Sequence, residues 1–478
     1  MNKFERSRRQ FLRTASLTSM AGISASPFIL GLNSMAAMAQ SSAASDYRAL
    51  VCVFLQGGND GHGTVIATDQ SSYSAFTQAR SGAPGLAYPM NELLPITLKT
   101  PQTGRTFALN PSLGGVQNLF NAGRAAIVAN SGTLIAPATK AQVNANSVPL
   151  PDSLFSHFDQ SAAWQAIASN YGGGEHVGWG GAVADAIESM NMNSNSMFTC
   201  ISTAGIALFL AGQSSFQLNV TPAGPIPIYG LANPPFGGSA ASNPLASILS
   251  ADESNLFAKE YGVVVNHSIQ AQALLASSML PAGPGGVPNP PQYLDPQTKM
   301  LTDNQLALSL QTVARIISGN SSLGVTRQIF YVQLGSFDTH NNQAIQHAQL
   351  LTQLGQALEY FDGLMVAAGL GNQVTTFTAS DFGRTLTSNS NGTDHGWGSH
   401  HFVVGGAVQG QDMYGQYPVV GANQANDVGA GRLIPTTSVD QYAGTLARWF
   451  GLSDGQVRQV FPNFGNFGSS PYLGFMGS

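Results

Sequence analysis

The feature that most constrains the fold of this chain is a set of short runs of apolar, β-favouring residues. Polar turns follow several of these runs, and helical patterns separate them. The runs are rich in apolar and β-branched residues without a strict apolar–polar alternation, so both faces of each strand would be buried, which is typical of a parallel or mixed sheet. They lie at Ala49–Leu55, Ala125–Asn130, Ile329–Leu334, Val374–Thr378 and Phe402–Val404.

Helical patterns lie between these runs. Apolar residues from Ile345 to Met365 recur at three- and four-residue spacing and predict one long amphipathic helix that ends near Gly369. A second helix is predicted from Val439 to Phe450, after a capping residue within Thr436–Ser438. Strands that alternate with helices predict a layered α/β sandwich.

The middle of the chain differs in composition. The segments 222–244 and 280–292 are rich in Pro, Gly, Ala and Asn, and they flank a helical pattern near 248–275. Residues 40–478 are therefore predicted to form a single α/β domain with an insertion or cap at about 195–325. This insertion either shapes a substrate cleft or is a decoration of the sheet.

The first forty residues read as an export signal. Ser7–Arg13 contains paired arginines followed by two large apolar residues, as in a twin-arginine signal. The weakly hydrophobic stretch Thr14–Leu32 precedes an A-x-A cleavage site at Ala37–Ala39. We expect a twin-arginine signal peptide at 1–39, a mature chain that begins near Gln40, and the twin-arginine translocase as a partner during export. The mature product would be periplasmic or secreted and would lack a transmembrane anchor.

Charge and cysteine content narrow the classes of function. Charged residues make up 9% of the chain, the net charge is −5, and no basic cluster follows the signal, so nucleic acid is a poor partner. Cys52 lies inside an apolar run, which favours a buried thiol, while a disulfide between Cys52 and Cys200 is the alternative in an oxidising compartment.

Polar motifs directly follow three of the predicted strands. Asp60 follows the first in a glycine-rich turn, Asp338 and His340 follow Ile329–Leu334, and Asp381 follows Val374–Thr378. In open α/β sheets ligands bind beyond the carboxyl ends of the strands, so these motifs are predicted to meet in one crevice.

The stretch Thr378–Gly406 is the densest in polar groups, although the whole chain has only nine histidines. Carboxylates and imidazoles on short turns are what a divalent metal site requires, whereas a polar, glycine-rich surface loop is the alternative. Its candidate ligands are Asp381, Asp394, His395, His400 and His401.

Two further motifs allow two interpretations each. Asp338 and His340 are two positions apart and would reach one metal ion from an extended segment, or else Asp338 or Thr339 caps the following helix. Ser156, in Leu154–Gln160, is a candidate nucleophile activated by a metal or a base, or a helix N-cap, or both.

The ordered motifs GGNDG, SHFDQ, FDTH, SDFGRT and GTDHGWGSHHFVVGG, together with the leader, resemble an exported bacterial family known as domain of unknown function 1501. The resemblance covers nearly the whole mature chain. That family is similar to the alkaline phosphatase and sulfatase superfamily. The resemblance therefore implies a three-layer α/β/α sandwich and a metal-assisted site that hydrolyses anionic esters.

The resemblance also implies roles for particular residues. Ser156 would be the nucleophile and Arg384 would bind the anion, and one or two divalent ions (zinc, calcium or manganese) would complete the site. The ligands implied are Asp60, Asp338, His340, Asp381 and His395 or His400. Two departures stand out: Phe382 occupies the place of the superfamily's histidine, and the Asp-x-x-x-His spacing is shortened to Asp338-x-His340. The sequence thus predicts an exported hydrolase of phosphate or sulfate esters, or a non-catalytic binding or assembly protein that keeps the fold.

Overall fold

The computed structural model describes residues 46–166, 177–225, 229–232 and 255–477. The predicted leader at 1–39 and its cleavage site lie outside the described residues. Among the described residues, none of the helices has the combination of length and hydropathy that a membrane-spanning segment requires.

The described residues alternate between strands and helices, as the sequence predicts. The strands are β1 Arg48–Leu55, β2 Val65–Ala67, β3 Leu94–Ile96, β4 Phe107–Leu109, β5 Ala125–Gly132, β6 Cys200–Ser202, β7 Gln217–Asn219, β8 Tyr293–Leu294, β9 Leu301–Thr302, β10 Arg327–Leu334, β11 Val374–Ser380, β12 Arg384–Ser388, β13 Thr393–His395, β14 Ser399–Val404, β15 Met413–Tyr414 and β16 Thr437–Ser438. The helices are α1 Gly61–Thr64, α2 Gln70–Arg80, α3 Gly114–Asn121, α4 Lys140–Asn144, α5 His157–Gln165, α6 Trp179–Ser189, α7 Tyr229–Ala232, α8 Leu256–Ser278, α9 Gln305–Ile317, α10 Asn320–Leu323, α11 Gln343–Ala367, α12 Val439–Phe450 and α13 Asp454–Val460.

A nine-stranded sheet forms the centre of the molecule, in the order β15-β5-β14-β11-β1-β10-β6-β7, with β16 also paired to β5. Strands β11, β1, β10, β6 and β7 run parallel, and β14 runs antiparallel to its neighbours β11 and β5. All five predicted strands are confirmed as members of this sheet.

Side chains of the central strand β1 alternate between two separate apolar cores. Val51 and Val53 join the core that includes α3, α9 and α11, whereas Cys52 and Phe54 join the core that includes α6, α12 and α13. Successive strand residues point to opposite faces, so a strand buried on both faces has no polar alternation in its sequence. The predicted three-layer α/β/α sandwich is confirmed.

Both predicted helices are confirmed. Helix α12 begins after Ser438, whose side chain and that of Gln441 form a reciprocal capping box. The long helix α11 begins after Asn342, which has a φ of 53° and makes no side-chain cap hydrogen bond. The alternative in which Asp338 or Thr339 caps this helix is therefore wrong, and Asp338 remains available for another role.

The predicted insertion at about 195–325 contributes strands β6 and β7 to the main sheet, and its helix α9 packs on α11 in one of the two cores. The helix predicted near 248–275 is present as α8 in the described part of this region. Cys52 and Cys200 are both buried and free, and β10 lies between the strands that carry them. The prediction of a buried Cys52 thiol is confirmed, and a disulfide is not formed.

Candidate metal-binding site

The carboxyl ends of three adjacent parallel strands place the polar motifs at one edge of the sheet. Asp338 follows β10, Gly57 follows the central strand β1, and Asp381 follows β11. Gly57 has a φ of 114°, and a Cβ there would lie 2.4 Å from the backbone nitrogen of Asp338, so only glycine allows the two loops to approach this closely.

Helix α5 and the hairpin β12–β13 complete the site from two other parts of the chain. His157 is the first residue of α5, and His395 is the last residue of β13. His340 lies in the loop between β10 and α11. Side chains from three separate parts of the sequence therefore meet at the same edge: His157, the pair Asp338 and His340, and His395.

Three imidazole nitrogens and one carboxylate oxygen converge within this cluster. The Nε2 atom of His395 lies 3.1 Å from that of His157 and 2.9 Å from that of His340. Asp338 Oδ1 lies 3.3 Å, 3.0 Å and 3.4 Å from the Nε2 atoms of His157, His340 and His395. With metal–nitrogen bonds of about 2.0–2.1 Å, ligand atoms at the corners of a tetrahedron are roughly 3.3 Å apart. The ligand atoms of His157, Asp338 and His395 all lie within 4.8 Å of one another, close enough to share one metal ion, and His340 adjoins this group through its contacts with His395 and Asp338.

A hydrogen-bond acceptor holds the opposite nitrogen of each histidine. His157 Nδ1 lies 2.7 Å from Asp381 Oδ2, and His340 Nδ1 lies 3.2 Å from Asp394 Oδ1. His395 Nδ1 lies 2.7 Å from the backbone carbonyl oxygen of Phe155.

Carboxylates and carbonyls only accept hydrogen bonds, so each Nδ1 carries the proton and, in the neutral ring, each Nε2 presents a lone pair. Lone pairs facing one another at about 3 Å repel unless a metal ion lies between them or one ring also carries a proton on Nε2. A second layer of acceptors that fixes the tautomer of metal-binding histidines is the usual arrangement in metal sites.

The charges around the cluster favour ionised carboxylates. Burial opposes ionisation of Asp338, but the hydrogen bond and charge of Arg384, together with His157, lower the pKa of Asp338 below its usual value. The hydrogen bond from His157 to Asp381 raises the pKa of His157. Burial lowers the pKa of His395. Asp338 therefore offers a charged oxygen to a cation over the ordinary pH range.

The donor side chains are neither fully buried nor fully exposed. Side-chain exposure is 34% for His157 and 45% for Asp338. A ligand from solution can thus reach the cluster, unlike a metal site enclosed by protein. Phe382, which is only 1% exposed, packs its ring 4.7 Å from that of His157 and 4.8 Å from that of His395, and so closes the inner side.

Asp60 lies outside this cluster. It is buried, and its two carboxylate oxygens accept hydrogen bonds at 2.7 and 2.9 Å from Arg80 and at 2.7 Å from Gln343. The backbone N–H of Gly63 donates a further bond at 3.2 Å, because Asp60 is the N-cap of α1. Burial opposes ionisation, but the charge and hydrogen bonds of Arg80 hold the pKa of Asp60 well below its usual range. Protein donors already occupy this carboxylate, so we leave it out of the ligand set.

Asp381 is not one of the converging donor residues, because its carboxylate accepts the Nδ1–H of His157 on the side of the ring away from the cluster. Its Oδ2 also accepts a hydrogen bond at 3.2 Å from Gly57 N–H, and its side chain is 2% exposed. His400 lies elsewhere: its Nδ1 accepts the N–H of Asn130 at 3.0 Å, and its ring stacks on Tyr417 at 4.7 Å. Burial lowers the pKa of His400 to about 3, so this ring is a neutral part of the core.

The two predicted catalytic residues have structural partners. Arg384 is fully buried and donates to Asp338 at 2.9 Å, to the carbonyl of Gly57 at 3.1 Å and to the carbonyl of Thr393. It positions Asp338 and has no exposed edge for a substrate. Ser156 is the N-cap of α5, where its Oγ accepts the backbone N–H of Asp159 at 3.4 Å.

Sequence reasoning missed two residues of this region. His157 stands in the motif SHFDQ next to the proposed nucleophile, and Asp159 follows it at the same two-residue spacing that marks Asp338 and His340, so this signal could have found it. Arg80 is the last residue of an ordinary surface helix and carries no motif at all. Their roles depend on contacts across 224 and 20 residues of sequence.

Comparison with known proteins gives one family and several distant structures. The family described as "Protein of unknown function (DUF1501)" matches residues 297–461, so the resemblance to that family is confirmed over this part of the chain. The matched part includes Asp338, His340 and His395 but not His157. No curated protein matches the chain.

Two solved structures are distantly similar to this chain. One is a Bacteroides thetaiotaomicron sulfatase from a locus for the metabolism of multiple glycosaminoglycans, with 10% identity, a TM-score of 0.31, and coverage of 86% of this chain and 74% of the other. The second is Ps i-CgsB in complex with k-i-k-neocarrahexaose, with 8% identity, a TM-score of 0.32 and the same coverage of 86% and 74%. Because both similarities are weak, the function proposed below rests on the geometry of this chain.

Proposed function

We propose that this protein is an exported, metal-dependent hydrolase of phosphate or sulfate esters. One observation carries the proposal: three histidines whose Nδ1 atoms are held by acceptors direct their Nε2 atoms toward one carboxylate oxygen, with separations of 2.9–3.4 Å. The exposed position of this cluster at the carboxyl edge of a parallel sheet supports a site for a ligand from solution.

The proposed metal ligands are His157, Asp338, His340 and His395. Three imidazoles and one carboxylate suit zinc or a similar transition metal, whereas calcium prefers oxygen ligands, which argues against calcium here. A bound divalent ion acts as a Lewis acid that stabilises negative charge on a phosphoryl or sulfuryl oxygen. Asp381, Asp394 and the carbonyl of Phe155 would keep the histidines in the required tautomer.

Ser156 is the proposed nucleophile. It directly precedes His157, and the neighbouring Phe155 carbonyl holds His395, so its backbone is fixed beside the cluster. Its Oγ would form a bond to phosphorus or sulfur while the ester P–O or S–O bond breaks, and the hydroxyl proton would leave with the departing alcohol. Water would then release inorganic phosphate or sulfate and restore the hydroxyl. The N-terminus of α5 would stabilise the anion through its backbone N–H groups.

The test combines metal content with turnover of generic aryl phosphate and aryl sulfate esters by the full mature chain. We expect about one zinc or similar ion per chain, and we expect Ser156→Ala to lower ester hydrolysis by at least 10³-fold. Both Ser156→Ala and the matched control Ser453→Ala remove an N-cap, which costs about 1 kcal/mol of stability. Ser453 is the N-cap of α13, a helix that contributes no residue to the cluster. If Ser156→Ala retains the activity of Ser453→Ala, Ser156 is not the nucleophile.

A non-catalytic exported binding or assembly protein with one structural metal is the second candidate. Two observations favour it: four protein donors can fill a tetrahedral shell, and Arg384, the predicted anion-binding residue, is buried on Asp338. Stoichiometric metal without turnover of any such ester would support this candidate over the hydrolase.

Export remains part of the proposal. The paired arginines in Ser7–Arg13 and the A-x-A site at Ala37–Ala39 support a periplasmic or secreted product that crosses the membrane by the twin-arginine pathway. The proposed domain is 40–478, with the insertion or cap at about 195–325. An anionic ester is the proposed substrate partner.

A further inference from the structure

Arg432 is a partly buried cation beside the proposed metal ligands. Within the described residues, it forms no ion pair with a carboxylate, whereas the arginines at positions 80 and 384 are each paired with an aspartate. A guanidinium without a counter-ion close to a candidate site is an electrostatic feature that an anionic ligand would complement.

Three contacts fix the orientation of this guanidinium. Arg432 Nε donates to the backbone carbonyl of His395 at 2.8 Å, and Nη1 donates to the carbonyl of Gly429 at 3.3 Å. The guanidinium carbon also lies 5.2 Å from the centre of the Phe155 ring. The carbonyl of Phe155 in turn accepts the Nδ1–H of His395. Arg432 therefore contacts both residues that define one side of the donor cluster.

The loop that carries Arg432 is held in place independently of the cluster. Asp427, which is fully buried, accepts the backbone N–H groups of Gly429 at 2.7 Å and Gly431 at 2.8 Å. Gly431 has a φ of 76° and its backbone packs on Leu386 of β12. A rigid loop reduces the entropy lost when its arginine binds a ligand.

Arg432 has donor capacity that Arg384 lacks. The nitrogens of Arg384 are all directed at protein acceptors: Asp338, Gly57 and Thr393. The Nη2 group of Arg432 has no hydrogen-bond partner among the described residues, and the side chain is partly exposed. The positive charge available to a substrate at this edge is consequently that of Arg432 rather than that of Arg384.

We propose that Arg432 binds the anionic group of the substrate, with its face packed on Phe155 and its free Nη2 edge directed to a phosphate or sulfate oxygen. The assignment of this anion to an ester substrate rests on the proposed function, but binding of the anion itself is testable separately. Planar guanidinium groups recognise tetrahedral oxyanions through paired N–H···O bonds.

The experiment measures the affinity of the full mature chain for inorganic sulfate by titration calorimetry, with and without zinc, for wild type and for Arg432→Gln. We expect Arg432→Gln to weaken sulfate binding about tenfold to a hundredfold, because a charge-assisted hydrogen bond is lost. Arg458→Gln is the matched control, since Arg458 also lies over a phenylalanine ring, Phe464, at 5.8 Å but outside the cluster. This control should bind sulfate like wild type.

Zinc affinity separates anion binding from a purely structural role. If Arg432 only holds the carbonyl of His395, Arg432→Gln weakens zinc and leaves the sulfate affinity of the zinc-saturated protein unchanged, which overturns the proposal. Arg432→Lys keeps the charge and should restore part of the sulfate affinity. Absence of sulfate binding by wild type also overturns the role of Arg432, whereas absence of zinc binding by wild type contradicts the proposed function instead.

Discussion

Asp60 and Asp338 follow adjacent parallel strands and both pair with a buried arginine, yet their surroundings differ. The Asp60 side chain is 1% exposed, and its oxygens accept hydrogen bonds from Arg80, Gln343 and the backbone of Gly63. The Asp338 side chain is 45% exposed, and one of its oxygens faces three histidine nitrogens. The first carboxylate is saturated by protein, and the second remains open to a cation.

This difference shows that the guanidinium of Arg80 does at one strand end what a metal ion is proposed to do at the next. The guanidinium of Arg80 neutralises Asp60 and donates hydrogen bonds to both of its oxygens. Around Asp338, by contrast, the neighbouring atoms are mainly histidine Nε2 nitrogens, which present lone pairs in the neutral ring. A buried charge is costly unless it is paired, and Arg80 and Arg384 supply that pairing for Asp60 and Asp338. The proposed metal position therefore lies at the end of β10, beside Asp338, and not at the end of β1, beside Asp60.

The largest expected effect is that of Asp60→Asn on stability. This substitution leaves the guanidinium of Arg80 buried without a counter-charge, so we expect the free energy of unfolding to fall by about 3–5 kcal/mol. Asp338→Asn also removes the carboxylate partner of the buried Arg384, but solvent screens this half-exposed pair, so we expect a smaller loss of about 1–2 kcal/mol together with the loss of stoichiometric metal binding. Urea unfolding followed by circular dichroism, together with metal analysis, measures both quantities. Equal stability losses would contradict the distinction between the two carboxylates.

The next expected effect is on metal affinity, and it distinguishes Asp381, which contacts a proposed ligand, from His400, which does not. Asp381→Asn removes the charged acceptor of His157 Nδ1, so we expect metal affinity to fall about tenfold to a hundredfold. His400→Gln, five residues after His395, should leave metal affinity unchanged because His400 faces Asn130 and Tyr417. Competition with a chromophoric chelator gives the affinities. A loss of metal in His400→Gln would return this residue to the ligand set.

The last expected effect, which is the smallest near neutral pH, is on the pH dependence of stability. Burial lowers the pKa of His401 to about 3, and its ring packs 4.8 Å from that of Trp164 and 6.0 Å from that of Tyr442. Between pH 6.5 and about 3 the unfolded chain binds a proton that the folded chain does not, so stability falls as the pH falls.

Replacing this histidine by phenylalanine removes its share of the dependence. We expect His401→Phe to reduce the slope by about 1.4 kcal/mol per pH unit within that window, and to leave the slope above pH 7 unchanged. Chemical unfolding at a series of pH values measures the slope. A slope identical to that of wild type would mean that His401 is already protonated in the folded chain.

The sequence predicts the framework of the sheet well. Runs such as Ala49–Leu55 and Ile329–Leu334 carry their own signal because burial on both faces requires continuous apolar residues. The capping box at Ser438 is equally local, since the cap and its partner are three residues apart. The order of the strands is less visible, because the antiparallel position of β14 between β11 and β5 depends on pairing across the chain.

The candidate site is only half visible in the sequence. Asp338 and His340 stand together after a strand, and a residue-by-residue search finds them. His157 and His400 show what the sequence cannot distinguish. Both lie in motifs that contain polar residues and glycine or phenylalanine, and the pattern does not indicate which of the two belongs to the site. His157 meets Asp381 and the donor cluster, while His400 packs inside the sheet.

By itself, the sequence of this protein determined the alternation of strands and helices, the buried strands and the edge of the sheet at which polar motifs gather. These features depend on local periodicity and on short-range capping, which every segment carries within itself. Only the tertiary structure decided which carboxylate pairs with Arg80 and which histidines contact Asp338. It also decided that Arg432 has an Nη2 group without a hydrogen-bond partner among the described residues. Those outcomes depend on burial and on partners that lie between 20 and 240 residues away in the sequence, so no local pattern can specify them.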